Sequence, residues 1–196
     1  MSELQEQMLQ TIITRRSTRK FTPDKIDEAT LEKLLQAALF APTGGNHQET
    51  RFLVIDKEET LAKLTTLVRE IFAARPLDPT DYQNKTAIVA RKPHYDFRYH
   101  APLVIACVAP KAHGNAMADS ALALENLMIA ANALGVGTCY VNQLHWLTDD
   151  PQIHPELLAL GMQEDEACFG SVICGCPQEG LMTNLPPRKE GRIVRQ

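Results

Sequence analysis

The chain has little that would suit a membrane, an oxidising compartment or a polyanion. Its 196 residues contain no run of 18 uninterrupted apolar residues, so no spanning helix is expected. The first residues, among them Ser2, Glu3, Gln5, Glu6 and Gln7, are polar where a secretory signal would carry an apolar stretch. Cysteine is scarce and odd in number, with Cys107, Cys139, Cys168, Cys174 and Cys176 lying on apolar stretches, which reads as reduced thiols and a cytoplasmic protein. Cys174 and Cys176 alternate on one strand face and read as small packed hydrophobes rather than metal ligands. The net charge of -4 argues against a general nucleic-acid binder. No G-x-S-x-G elbow and no G-x-x-x-x-G-K-[ST] loop occurs, which leaves a hydrolase elbow and a P-loop unsupported. Gly135-Val136-Gly137 lacks a third glycine and follows a helix pattern, unlike a dinucleotide fingerprint. His94, Asp96 and His100 have neither helical nor zinc-finger spacing, and no metal site is expected. His113, His145 and His154 read as surface or capping histidines.

What is present is a core. With 44% hydrophobic and 22% charged residues, the chain is expected to form one domain over residues 1–196, ending in an extended basic segment from 177 to 196. Leu4, Met8 and Ile12 recur at helical spacing, with Ser2 as cap. Asp27 caps a second helix with a stripe of Leu31, Leu34, Leu35, Ala38 and Leu39. Residues 52–55 read as a strand buried on both faces, 57–74 as a helix, and 103–108 as another buried strand. The stretch 75–100 has no periodicity and three prolines, the pattern of a lid or binding loop. Residues 116–134 form the longest helix, apolar all round and therefore central or covered by another subunit. Strands at 136–141 and 169–174 flank a short helix near 151–160. Helices and strands do not alternate one for one, so the class is α+β rather than a doubly wound parallel sheet.

Against this background one cluster stands out. Arg15, Arg16, Ser17, Thr18, Arg19 and Lys20 concentrate four cations in an acidic chain. Alone, such a run reads as a solvated turn. Arginine forks beside a hydroxyl also match a phosphate monoester, because each fork can donate two parallel charge-assisted bonds. The loop Pro42-Thr43-Gly44-Gly45-Asn46-His47-Gln48 adds amide and hydroxyl donors, with paired glycines for close backbone approach. Pro187-Arg188-Lys189 adds cations at the far end. Together they describe a ligand with a phosphate at one end and a flat hydrogen-bonding ring at the other. Flavin mononucleotide (FMN) fits that description.

The order of these motifs resembles the nitroreductase family of FMN-dependent oxidoreductases over nearly the whole chain. Arg15 to Phe21 is similar to R-R-S-x-R-x-F, and Ala37 to Gln48 to A-A-x-x-A-P-S-x-x-N-x-Q. Asp119 to Gly135, with Asn126-Leu127 inside, resembles the family's D-x-x-x-x-x-x-N-L-x-L-A-A-x-x-L-G helix. Gly135 to Tyr140 is similar to G-L-G-S-C-W, and Gly175-Cys176-Pro177 with Pro187-Arg188-Lys189 to the family's ending.

The resemblance implies an α+β fold with a mainly antiparallel sheet flanked by helices. It also implies a homodimer that exchanges terminal segments, with two FMN sites in its interface. By the same resemblance Arg15 and Ser17 bind the phosphate and ribityl chain, with Arg16 nearby, and Arg188 and Lys189 reach the phosphate from the tail. Arg19 lies at the pyrimidine edge of the ring. Thr43, Asn46 and Gln48 come from the partner subunit, and Cys139, Tyr140 and Val141 supply backbone near the ring. NAD(P)H is the implied donor and a small molecule such as a nitroaromatic or quinone the acceptor, with no side chain acting as acid or base. The chain departs from the pattern at Glu49-Thr50, where the family carries Pro-Trp, and at Cys176, where it carries tyrosine. A specialised family reductase acting on enones or halogenated substrates, and a protein that binds FMN without turnover, remain open alternatives.

Overall fold

The computed structural model describes residues 1–182 and 184–195. Helix α1 (Glu3–Thr14) opens on a capping box: the Gln5 N–H donates to Ser2 Oγ and the Ser2 N–H to Gln5 Oε1. Helix α2 (Glu28–Leu39) starts at Asp27, whose carboxylate accepts the Thr30 N–H at 2.9 Å. A 3-10 turn, Gly44–Asn46, leads to β1 (Arg51–Ile55). Then come α3 (Glu58–Ala74), α4 (Asn84–Ala90), β2 (Leu103–Pro110), α5 (Ala116–Ala133) and β3 (Gly137–Val141). The remaining elements are α6 (Gln143–Trp146), α7 (His154–Ala159) and β4 (Glu166–Gly175). From Gln178 onward the described residues form neither helix nor strand.

The four strands lie in the order β1-β2-β4-β3, every neighbouring pair antiparallel. Because side chains alternate along a strand, the central β2 feeds two cores. Val104, Ala106 and Val108 face Leu61, Leu64, Val68 and Phe72 of α3. Leu103, Ile105 and Cys107 face Leu34 and Ala38 of α2 and Leu124, Leu127 and Ala131 of α5. Helices on both faces of an antiparallel sheet make this the expected α+β arrangement. Cys107, Cys168 and Cys174 are fully buried, and burial raises their thiols to about 11, 12 and 12 respectively. They are protonated, inert packing groups.

Three sequence expectations change. Residues 52–55 are not buried on both faces: β1 is an edge strand, and Val54 is 38% exposed. An apolar run of that length has no feature that distinguishes an edge from a centre. The stretch 75–100 is not loose throughout. It contains α4 and then a turn in which Phe97 and Arg98 are buried. The Arg98 guanidinium donates to the Ala101 carbonyl at 2.9 Å and to Glu58 at 2.9 Å, and the Asp96 carboxylate receives the N–H groups of Arg98 and His100. Four-residue α6 was not foreseen, since barely one helical turn is too short for a hydrophobic repeat to show.

Helix α5 is the spine. It packs on α2, β4, β3, β2 and α1. Its amides tie down both neighbouring helices: Asn126 Nδ2 donates to the Ala37 carbonyl, and Asn132 Nδ2 to the Thr11 carbonyl. Helix α1, by contrast, buries no residue in this protomer.

Candidate functional site

Residues 15–20 run along the outer edge of β3. Ser17 pairs with Thr138 in a parallel bridge, and the Thr18 N–H donates to the Thr138 carbonyl at 2.8 Å. Gly137 permits this approach: an added Cβ there would lie 2.8 Å from Thr18 Cγ2. The bridge turns Thr18 inward, where it is buried. Its neighbours Ser17 and Arg19 take the opposite side of the extended chain. Among the described residues, neither the Ser17 nor the Arg19 N–H has a protein acceptor. The Arg19 guanidinium lies 5.8 Å from the centre of the Tyr99 ring, within cation–π range. Tyr99 itself has a positive φ of 52°.

The start of the tail closes against the same segment. Thr22 N–H donates to the Cys176 carbonyl, Gln178 N–H to the Lys20 carbonyl, and Lys20 Nζ meets Glu179 at 2.7 Å. That contact raises the Lys20 ammonium and lowers the Glu179 carboxyl, mainly through their shared hydrogen bond. The result is a cleft of about 250 Å³ lined by Ser17, Thr18, Arg19, Lys20, Glu179, Gly180 and Met182.

The cations of the cluster are thus divided. Arg15 pairs with Glu125 of α5 at 3.4 Å. Arg16 donates to the carbonyls of Ile13, Arg15 and Asn184 at 2.8, 2.6 and 2.8 Å, and so ties the end of α1 to the tail. Lys20 has Glu179. Arg19 has no carboxylate partner among the described residues, and neither have the exposed Arg188 and Lys189. On β3, Cys139 and Val141 are buried, while the Tyr140 hydroxyl donates to the Phe169 carbonyl at 3.4 Å. Gly170 leaves room for that hydroxyl.

The second group of expected donors is built differently. Gly45, Asn46 and Gln48 have φ of 60°, 57° and 55°, a left-handed conformation that asparagine and glutamine adopt at a cost. Thr43 Oγ1 accepts the Gln48 N–H at 3.1 Å, and Gln48 Nε2 donates to Asn46 Oδ1 at 3.1 Å. The root of the loop is held by α5: Asp119 accepts the Gly44 N–H at 3.1 Å and faces His113 Nε2 at 2.8 Å. These contacts, His113 foremost, lower the Asp119 carboxyl. His113 is therefore a buried partner rather than a surface histidine. His145 and His154 bond through Nδ1 to the carbonyls of Cys168 and Thr148.

The structure sets Ser17 and Thr18 against Thr138 of β3, the strand that also carries Cys139, Tyr140 and Val141. Among the described residues, no hydrogen bond or ion pair joins them to Thr43, Asn46 or Gln48 of the same chain. The two groups attach to different parts of α5, the loop at Asp119 and the cationic segment at Glu125 and, through α1, Asn132. From Asp119 to Asn132 the helix rises about 20 Å.

A cationic segment along one sheet edge and a glycine-containing loop of donors are carried on an antiparallel sheet between helices, in an α+β protein. The sequence matches the model of the Nitroreductase family over residues 12–175, and the chain belongs to that family of oxidoreductases. A curated relative from Archaeoglobus fulgidus, provisionally named an NADH dehydrogenase/NAD(P)H nitroreductase, is 28% identical over 89% of this chain and 87% of its own length. The 5,6-dimethylbenzimidazole synthase of Rhodospirillum rubrum is 30% identical over 84% of this chain and 79% of its own length. Among solved structures, a Bacteroides fragilis nitroreductase with bound FMN superposes with a TM-score of 0.86 at 28% identity, covering 100% of both chains. The Pro187-Arg188-Lys189 tail lies past the end of the matched stretch.

Proposed function

We propose that this protein is an FMN-dependent NAD(P)H oxidoreductase that works as a homodimer and passes electrons to a small acceptor such as a nitroaromatic or a quinone. The observation that carries the reading is the β3 edge: among the described residues the Ser17 and Arg19 N–H groups have no protein acceptor and the Arg19 guanidinium no carboxylate, on a fold shared with an FMN-bound nitroreductase. The donor set suits that cofactor, with cations and a hydroxyl for a phosphate and fixed amides for a heteroaromatic edge.

FMN, when bound, supplies the two-electron chemistry. Arg15, Ser17, Arg188 and Lys189 hold the phosphate and ribityl chain, with Arg16 fixing the local backbone through its three carbonyl contacts. Arg19 sits at the pyrimidine edge, where negative charge gathers on reduction. A fixed donor aimed at developing charge contributes roughly 3 kcal/mol. Cys139, Tyr140 and Val141 line the ring with backbone, and Thr43, Asn46 and Gln48 reach it from the partner subunit. The donor NAD(P)H and the acceptor use the same space in turn, which gives ping-pong kinetics.

The apolar surface of the protomer supports the dimer. Leu4, Met8 and Ile12 of α1 are 64%, 62% and 53% exposed, and Phe40 is 80% exposed. A helix that buries nothing in its own chain gains its stability from another surface. A partner copy would also bring a second Thr43–Gln48 loop to the β3 edge, to which, among the described residues, the chain's own loop makes no hydrogen bond. Glu49-Thr50 in place of the family's Pro-Trp favours a specialised acceptor as the second reading, since it exchanges an aromatic for a carboxylate beside Gln48. We place the protein in the cytoplasm, as one domain with an extended tail.

Purified protein mixed anaerobically with NADH or NADPH should lose its yellow colour and regain it on addition of a nitroaromatic or quinone. Colour that persists with both donors would leave a protein that binds flavin without turning it over.

A further inference from the structure

Asp119 stands in the first turn of α5, and its side chain is 4% exposed. A buried carboxylate is costly unless its oxygens are satisfied. Here the oxygens have two partners outside the helix. One partner is the Gly44 N–H, 75 residues away in sequence, at 3.1 and 3.3 Å from the two oxygens. The other is His113 Nε2 at 2.8 Å, itself 13% exposed. The nearest further titratable group is His47, whose ring centre lies 6.1 Å from that of His113.

The contact is made at a close-packed glycine: a Cβ at residue 44 would meet the Asn115 side chain, which would have to move to admit it. Immediately after it come the left-handed residues Gly45, Asn46 and Gln48. Strained conformations persist where surrounding contacts over-determine them. Within the loop the Asn46 N–H donates to the Thr43 carbonyl, the His47 N–H to the Gly44 carbonyl and the Gln48 N–H to Thr43 Oγ1, and Gln48 Nε2 to Asn46 Oδ1; among the described residues, its side-chain tie to α5 is Asp119.

We propose that Asp119, with His113 behind it, is the positioning residue that presents the Thr43–Gln48 loop to the flavin. Neither side chain touches the cofactor. The pair sets the angle at which Asn46 and Gln48 leave α5, and so determines affinity for the ligand more than stability of the fold. The inference rests on the flavin reading above.

The test measures FMN affinity of the apoprotein by quenching of flavin fluorescence, alongside the melting temperature of the apoprotein. Asp119→Asn keeps the shape and removes the charge. It should weaken FMN binding about tenfold, equivalent to roughly 1.4 kcal/mol. His113→Gln, which leaves the carboxylate on Gly44, should weaken it about threefold. Both variants should melt close to the wild type. Wild-type affinity in both variants would overturn the proposal. So would an affinity loss accounted for by the unfolded fraction alone, since that marks a structural role. Asn46→Ala separates the layers. If the wild type binds no FMN, or Asn46→Ala binds as tightly as the wild type, the flavin reading of the loop falls and this inference with it. If Asn46→Ala weakens binding while both positioning variants do not, only the present inference falls.

Discussion

The cationic segment 15–20 and the loop 43–48 carry the two halves of the same proposed site, yet they are held in opposite ways. The segment is held by backbone: Thr18 N–H on Thr138, with Gly137 giving the clearance. The loop is held by one buried carboxylate on one glycine N–H. Backbone pairing survives most side-chain changes, so the segment is free to vary what it presents. A side-chain tether is weakened by a single atom exchange, and the strained backbone beyond it then keeps only the loop's own hydrogen bonds among the described residues. The rigid half carries the charges, and the adjustable half carries the neutral donors.

The largest expected effect removes the charges and leaves the pairing. Arg15→Ala combined with Arg188→Ala should release FMN, weakening it by about a hundredfold or more if each charged hydrogen bond contributes 1.5–3 kcal/mol. Flavin absorbance per purified polypeptide measures this, and full flavin content would show that the phosphate lies elsewhere. Next is Arg19→Gln, which keeps the fold and removes the charge beside the ring. The rate of anaerobic reduction by NAD(P)H should fall about a hundredfold, as when one charge-stabilising donor is lost. Unchanged rates would remove Arg19 from the redox edge.

A third substitution attacks the pairing itself. Gly137→Ala puts a Cβ 2.8 Å from Thr18 Cγ2 and 3.0 Å from its Cβ and Oγ1. Overpacking of this kind costs about 1–3 kcal/mol, visible as a lower melting temperature together with weaker flavin binding. A melting temperature equal to the wild type would mean that the segment can move off β3 freely.

The two regions also differed in how far they could be read in advance. The segment announced itself through composition, four cations in a chain of net charge -4, although its place on β3 is a pairing across 121 residues that no local pattern encodes. The fold class followed from the spacing of apolar runs. The loop's donors were legible, but their support was not. Asp119 begins an almost wholly apolar helix and looks there like an ordinary acidic residue of a first turn. Its partner His113 lies in the turn before α5. The anchoring of residues 92–101 was hidden for the same reason: Arg98, Asp96 and Glu58 show no periodicity, and the Arg98–Glu58 pair joins residues 40 apart in sequence. Periodicity reports what a residue faces on average. It does not report which distant N–H a buried carboxylate has been given.

The smallest effect uses acidity to separate the two halves. Asp119 is held below its ordinary carboxyl value, chiefly by His113 and further by the Gly44 N–H. A depressed carboxyl contributes its full stabilisation above the unfolded value, about 3.9, and loses it as pH falls through the lower folded value. The loop should therefore stay seated across the neutral range and loosen only in acid below about pH 4. Thr18–Thr138 has no titratable member, so the segment's backbone seat should not respond in that window. Amide exchange resolved by residue distinguishes the two: on acidification, protection at Gly44 should fall relative to Thr18, after correction for the intrinsic pH dependence of exchange. In Asp119→Asn the Gly44 amide should be poorly protected at every pH, and the difference between the two regions should no longer depend on acidity. Parallel loss at both positions in the wild type would mean that acid acts on the whole fold and that the loop has no separate tether.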